Sequence, residues 1–246
     1  MSPSIVWSLL AALVCFAFAT ETALGFGAMI LSLALGAQLV PLDALLPTVL
    51  PLNVALSLTL LARTWRSIDR RFLFRRLVPP MIVGVPLGIA AFAKLPRDLL
   101  VRGFGAFVIL LATGELIQAW RKAPATMLRR PLRVVLLVLG GAIHGAFATG
   151  GPLIVYVASR EVPDKHAFRA TLTALWSLLG IVVAISLGAA GKLTTATLTG
   201  SALLFVPCGL GLVVGEAVHR RVDAKHLRIA VFVLLLVAGA LLLRGT

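Results

Sequence analysis

Apolar segments long enough to cross a lipid bilayer take up most of this 246-residue chain. They lie near residues 4–40, 44–62, 77–93, 99–119, 133–158, 168–188, 194–218 and 227–243. A helix needs about 20 apolar residues to cross the hydrocarbon core, and 60% of the residues here are hydrophobic. A soluble fold of this size could not bury so many such runs. The sequence therefore predicts an all-α polytopic membrane protein.

The net charge of +14 comes from basic residues that lie mostly in the short connections between the apolar segments. This placement is typical of the positive-inside rule and not of a nucleic-acid-binding face. We therefore expect no nucleic-acid partner, and we expect the basic loops to contact anionic lipid on the cytoplasmic side. Residues 1–10 contain no Lys or Arg, so the first segment is expected to be retained and not cleaved as a signal peptide.

Two of the apolar segments contain residues that disfavour a continuous helix. Segment 4–40 would form a helix of about 55 Å, and polar residues followed by glycines interrupt it at 20–27. The fifth segment is interrupted at 148–152, where two glycines precede a proline. A bilayer tolerates such breaks only where protein or a water-filled cavity covers the loosened backbone. We expect a helical hairpin in each segment, the first with arms at 4–19 and 28–40.

A glycine motif recurs at an interval of 127 residues and suggests an internal repeat. The matching residues are Pro80, Gly84 and Gly88 in one copy and Pro207, Gly211 and Gly215 in the other. The GxxxG spacing also lets helix backbones approach closely. We interpret residues 1–120 and 121–246 as two transmembrane repeats that together form one transport domain.

The distribution of basic residues favours re-entrant hairpins and an inverted second repeat. If both hairpins enter and leave on one face, the loops 63–76, 120–133, 159–169 and 219–228 share a side and carry 18 of the 23 Lys and Arg residues. Single crossings would leave almost no bias, with 13 on one side and 10 on the other. Each repeat then consists of a hairpin and three full helices, an odd number of crossings. The asymmetry indicates a multi-pass protein of the inner (plasma) membrane.

Broken elements in an inverted pair are typical of secondary transporters. A helix that begins inside the membrane presents free N–H groups and the positive end of its dipole, which attract an anion. Glycines at the break let a ligand approach those groups closely, although they also suit close packing of hairpin tips. The guanidinium of Arg169 suits an oxyanion, although it also suits a membrane-interface anchor. The candidate substrate-binding residues are Thr22, Gly25, Gly27, Asn53, Thr149, Gly150, Gly151, Pro152 and Arg169.

Two ionisable residues near the breaks are candidates for ion or proton coupling. Glu21 lies beside the first break, where its carboxylate could bind a proton or a sodium ion, or could instead cap the hairpin tip. His144 precedes the second break, and histidine titrates near neutral pH. A structural role in the interior is an equal alternative for His144.

The second half resembles the sulfite exporter TauE/SafE family. The resemblance rests on the glycine-rich stretch 140–152, which ends in Gly150-Gly151-Pro152, and on the Phe-Arg-Ala-Thr sequence at 168–171. The first half is similar at 24–27, but the sequence 28–32 replaces the fuller glycine run of the family, so the two tips are expected to contribute unequally. The resemblance implies transport of a small anion such as sulfite or a sulfonate, by alternating access.

Two other functions stay open at this point. Cys208 follows a proline, as in membrane thiol–disulfide carriers, but Cys15 is the only second thiol. An anion channel is the other alternative, to be separated from a carrier by counterflow. No catalytic or metal-ligand spacing is evident, so we expect neither an enzyme nor a cofactor. Oligomeric state is open, with a homodimer as one option.

Overall fold

The chain folds into helices throughout the part that the computed structural model describes, which comprises residues 2–24, 26–121, 128–221 and 224–244. No strand occurs among these residues, so the prediction of an all-α fold is confirmed. The helices are α1 (Pro3–Leu24), α2 (Ala28–Gly36), α3 (Leu42–Thr64), α4 (Arg70–Phe72), α5 (Val78–Lys94), α6 (Arg97–Arg121), α7 (Arg130–Phe147), α8 (Gly151–Glu161), α9 (Lys165–Ala189), α10 (Thr195–Arg221) and α11 (Ala224–Arg244). A 3₁₀ turn at Trp65–Ser67 follows α3, and a π-helical turn at Leu73–Leu77 joins α4 to α5.

Seven helices in the described ranges are long and apolar enough to cross a membrane. They are α1, α3, the continuous stretch from α4 to α5, and α6, α7, α9 and α10, and Ile229–Arg244 within α11 is a shorter apolar stretch. By contrast, α2 has 9 residues and α8 has 11. At 1.5 Å per residue they extend only about 14 and 17 Å, too little to cross the hydrocarbon core.

The first break is shorter than the sequence predicted. Thr20, Glu21 and Thr22 belong to α1, which is 22 residues long, so the predicted arm 4–19 is wrong at its end. The helix continues because the two threonine hydroxyls bond carbonyls one turn back, at Phe16 and Phe18, instead of competing with the backbone. The second arm, α2, ends at Gly36 and is therefore shorter than the predicted 28–40. The second break is where it was expected, between Phe147 and Gly151.

The contacts divide the chain into two compact units, each drawing on both of the predicted halves. Unit 1 contains Met1–Val49, Leu95–Ala123 and Leu193–Thr246, and unit 2 contains Leu50–Lys94 and Pro124–Lys192. The first hairpin, α1–α2, therefore lies in unit 1 and the second, α7–α8, in unit 2. The inverted relation of repeats 1–120 and 121–246 stays a prediction.

In unit 1, α1 packs in parallel against α10 through the second copy of the glycine motif. A Cβ at Gly211 would overlap the carbonyl oxygen of Cys15, and one at Gly215 would overlap that of Ala19. The contact points advance together along both helices, which establishes the parallel direction. Only glycine permits this separation between the two backbones.

In unit 2, α5 packs in parallel against α7 through the first copy of the motif. A Cβ at Gly84 would overlap the carbonyl oxygen of Val138, and one at Gly88 would overlap that of Ala142. A buried apolar cluster continues from this contact between α5, α7, α8 and α9. Its members include Leu77, Met81, Leu137, Ile154, Val157 and Leu175.

Candidate functional site

The first tip, in unit 1, is a sharp turn closed by a side chain from α1. Gly25 lies outside the described residues, and Gly27 has φ 122°, a conformation that side-chain-bearing residues rarely adopt. Helix α2 begins immediately afterwards at Ala28. The backbone N–H of Ala28 donates to Oε2 of Glu21 at 2.7 Å. Glu21 therefore caps α2, one of the two roles that the sequence had left open.

The threonine hydroxyls of the first tip bond within their own helix. Thr20 donates to the carbonyl of Phe16 and Thr22 to that of Phe18, both at 2.9 Å. Both residues are buried. Their hydroxyl protons are thus already used, which is the common state of threonine in membrane helices.

The second tip, in unit 2, is an equally short turn between α7 and α8. Ala148 ends α7 in the left-handed conformation, with φ 52°, and its N–H donates to the carbonyl of His144 at 2.6 Å. Gly150 is the N-cap of α8 and packs so closely on α7 that a Cβ there would lie 2.8 Å from the Cβ of His144. Pro152 lies in the first turn of α8, where its missing N–H leaves no helical bond unmade.

Two buried polar side chains at the second tip have no hydrogen-bond partner among the described residues. They are the imidazole of His144, at both nitrogens, and the hydroxyl of Thr149. His144 is 3% exposed and Thr149 is 4% exposed. Burial of a polar group without a partner costs free energy, so these groups make the second tip a candidate ligand site. Both residues were selected from the sequence.

Trp176 of α9 covers this tip and was missed as a site residue. Its ring stacks on that of His144, with centroids 5.8 Å apart and planes within 7° of parallel. A Cβ at Gly151 would lie 3.7 Å from the same indole. The available sequence signal was the position of Trp176 inside an apolar segment, away from the ends where aromatic belts form.

The remaining candidates are placed less directly at the tips. Arg169, half-buried, precedes Trp176 by seven residues of α9, about 10 Å along the helix and on nearly the same face. Asn53 is buried on the part of α3 that belongs to unit 2. The adjacent Val54 packs on α9, its Cγ2 lying 2.9 Å from where a Cβ on Gly180 would be.

The two thiols and the acidic residues are the remaining groups with possible chemistry. Cys15 and Cys208 are both free, on α1 and α10. Across the described ranges, no group of three or more His, Cys, Asp or Glu residues is arranged to hold a metal ion. The polar features considered further are the two helix breaks and a basic cavity in unit 2, described below.

Comparison with known proteins identifies the family of this chain. The model of the family described as "Sulfite exporter TauE/SafE" matches residues 9–242, nearly the whole chain. No curated protein and no solved structure gave a match. The matched range includes both hairpin tips and all but the first residues of α1. This multi-pass membrane protein belongs to the sulfite exporter TauE/SafE family, a family of anion transporters.

Proposed function

We propose that the protein is a secondary transporter of a small sulfur-containing anion, such as sulfite or a sulfonate, and that the anion binds at the second tip. The observation that carries this proposal is the pair of unpartnered buried groups at the second tip, His144 in the last turn of α7 and Thr149 just before α8. The family membership supplies the substrate class. The geometry of unit 2 supplies the candidate site.

The chemistry of the tip suits an oxyanion. The first N–H groups of α8 have no intrahelical acceptor, and the helix dipole places partial positive charge there. Gly151 brings no side chain between these groups and a ligand, whereas Gly150 is required by the close approach of the Gly140 carbonyl. The Thr149 hydroxyl and one imidazole nitrogen can each donate a further hydrogen bond, and bonds to a charged acceptor are the stronger kind.

The first tip supports the same conclusion by contrast. Gly150 follows Gly27 by 123 residues, and His144 follows Glu21 by the same interval. At the first tip the carboxylate of Glu21 already bonds the first N–H of the second arm. At the second tip a neutral or cationic side chain replaces that internal anion. A soluble anion at α8 would therefore make the interaction that Glu21 makes at α2.

We propose transport by alternating access in the inner membrane, driven by a proton or sodium gradient. The ends of the second hairpin meet, because Arg133 near the start of α7 bonds Glu161 at the end of α8 at 2.9 Å. That geometry favours a hairpin that enters and leaves on one face. His144, beside the anion, is the proposed proton carrier, and Glu21 is proposed to bind a coupling ion in addition to capping α2.

The proposal is tested by ligand binding at Trp176 and by flux. In a variant with Trp7, Trp65 and Trp120 changed to Phe, only Trp176 emits, and sulfite is expected to change its emission saturably. Thr149→Val removes an available donor and should weaken binding about tenfold or more. Thr22→Val is the matched control, since that hydroxyl is already bonded to Phe18, and it should leave affinity within about twofold.

Flux in liposomes completes the test. A carrier gives saturable uptake and counterflow under an imposed proton or sodium gradient, whereas a channel gives no counterflow. If neither sulfite, taurine nor isethionate changes the emission of Trp176 or moves across the membrane, the sulfur-anion assignment fails. Equal effects of Thr149→Val and Thr22→Val would remove the second tip as the site.

A further inference from the structure

Unit 2 contains a basic cavity of about 740 Å³ at the start of α5 and α7. This volume is within the range of small-molecule sites, about 300–1,000 Å³. The arginines that line it are Arg71, Arg75, Arg76, Arg130 and Arg133. Glu161, at the C-terminal end of α8, also lines it, about 15 Å along that helix from Gly151. The cavity is therefore distinct from the second tip.

The two carboxylates in the cavity are already engaged with the protein. The side chain of Glu161 is only 2% exposed, and its carboxylate accepts hydrogen bonds from both Arg76 and Arg133. Asp69 caps α4 by accepting from the N–H of Phe72 at 2.8 Å. The N–H of Asp69 in turn donates to the hydroxyl of Thr171 on α9, which fixes the basic segment to the helical core.

The remaining three arginines have no counter-charge in the described part of the chain. Arg71, Arg75 and Arg130 are exposed and take part in no ion pair there. The five arginines against two carboxylates leave three positive charges around one cavity. Several arginines converging on one space are the usual recognition of a phosphate group, because each guanidinium can bind two of its oxygens.

Apolar side chains continue from the cavity along both helices. On α5 the cavity-lining Pro79 is followed at four-residue intervals by Val83 and Leu87, which are 56% and 58% exposed. On α7 Val135 and Leu139, one turn apart, are 53% and 50% exposed. Because α5 and α7 run in parallel, the basic cavity and the two apolar stripes begin at the same end of this helix pair.

We propose that this cavity binds the phosphate group of an anionic membrane lipid, with the acyl chains along the exposed faces of α5 and α7. Phosphate charge would neutralise the arginines, and hydrocarbon would cover the stripes. A soluble phosphate compound could satisfy the arginines but would leave the stripes uncovered. The proposal is independent of the substrate site at the second tip.

The test measures lipid retention by the full chain purified in detergent. Native mass spectrometry would compare dioleoyl phosphatidylglycerol with dioleoyl phosphatidylcholine, and affinity would be obtained by titration. The variant R75Q/R130Q should lose affinity for phosphatidylglycerol by about thirtyfold, from two arginines near the surface. The control R63Q/R70Q removes the same charge from unit 2, at two arginines that do not line the cavity. It should retain wild-type affinity.

Three results would overturn the proposal. The wild-type protein would retain phosphatidylcholine as well as phosphatidylglycerol, the control pair would lose as much affinity as the cavity pair, or inorganic phosphate or sulfite would displace the lipid at comparable concentration. The third result would identify a soluble-anion site. The comparison of lipids on the wild-type protein decides the proposal even if R75Q/R130Q does not fold, and R75K/R130K should keep the preference for the anionic lipid.

Discussion

The Oε2 atom of Glu21 lies 2.7 Å from the backbone nitrogen of Ala28 and closes the first hairpin from within. The carboxylate and the helix terminus that it caps come from consecutive arms of one hairpin. At the corresponding position of the second hairpin stands His144, stacked on Trp176 with both nitrogens unpartnered among the described residues. The two tips thus differ in the side chain at this position, which is an anion that caps α2 in the first hairpin and an imidazole in the second.

Removal of the Glu21 carboxylate should destabilise the first tip. We expect Glu21→Ala to lower the free energy of unfolding by about 1 kcal/mol, the usual loss for an N-cap side chain. Glu21→Gln retains an acceptor oxygen and should lose less than half of that. Unfolding by SDS in mixed micelles measures both variants. If the two were equally destabilised, charge and not the hydrogen bond would be the main contribution.

Glycines at the α5–α7 contact should tolerate no side chain. Gly88→Ala places a Cβ on the carbonyl oxygen of Ala142, so we expect a loss of about 1–3 kcal/mol from overpacking. Gly103→Ala on α6 is the matched control, because a Cβ there meets nothing within 4 Å. Its stability should be unchanged or higher by up to about 1 kcal/mol, since alanine favours helix. Comparable losses in both would contradict the packing explanation.

Glycine in place of Ala148 should stabilise the second tip. Ala148 has φ 52°, and the left-handed conformation costs an L-residue about 1–2 kcal/mol. Ala148→Gly relieves this strain. It also lowers the free energy of unfolding by about 0.4–1 kcal/mol, because glycine gives the unfolded chain more conformational freedom. The net expectation is a gain of up to about 1 kcal/mol in thermal or SDS unfolding. A clear loss would mean that the methyl group contributes packing that outweighs the strain.

Loss of the Glu161 charge should destabilise unit 2 far more than loss of an exposed charge. Glu161→Gln leaves Arg76 and Arg133 without their buried counter-ion, and we expect a loss of about 1–3 kcal/mol, discounted because Arg76 is half-exposed. Asp98→Asn breaks an exposed pair with Arg102 and should change stability by less than about 0.5 kcal/mol. Both free energies come from SDS unfolding of the purified variants. Similar losses of stability in the two variants would argue against a structural role for the ion pairs of Glu161.

Much of the fold could be predicted because its main signals are local. Apolar runs of bilayer length, the Gly150-Gly151-Pro152 break and the two GxxxG motifs are all readable along the chain, and each corresponds to a helix, a break or a close helix contact in the structure. The end of α1 was placed too early because polarity at Thr20 and Thr22 suggested a break. Their hydroxyls are instead satisfied one turn back, so polarity there does not interrupt the helix.

The parts that could not be predicted depend on long-range contacts. Trp176 reaches the second tip only because α9 packs on α7 and α8, and nothing near residue 176 encodes that neighbour. Likewise, Glu161 meets Arg76 across 85 positions of the chain, and a charge count in the loops cannot reveal which carboxylate pairs with which arginine. The roles of the tip residues in transport stay predictions.

The glycine contacts between α5 and α7 also bear on how the protein can move. Gly84, Gly88, Gly141 and Gly145 bring the two backbones together so closely that neither helix can slide along the other without its carbonyls colliding with the opposing chain. We therefore expect α5 and α7 to move together as one rigid body, and likewise α1 and α10. A hinge that serves the proposed transport cycle is then expected at the short unwound turns or the connecting loops, where no such close contact restricts rotation.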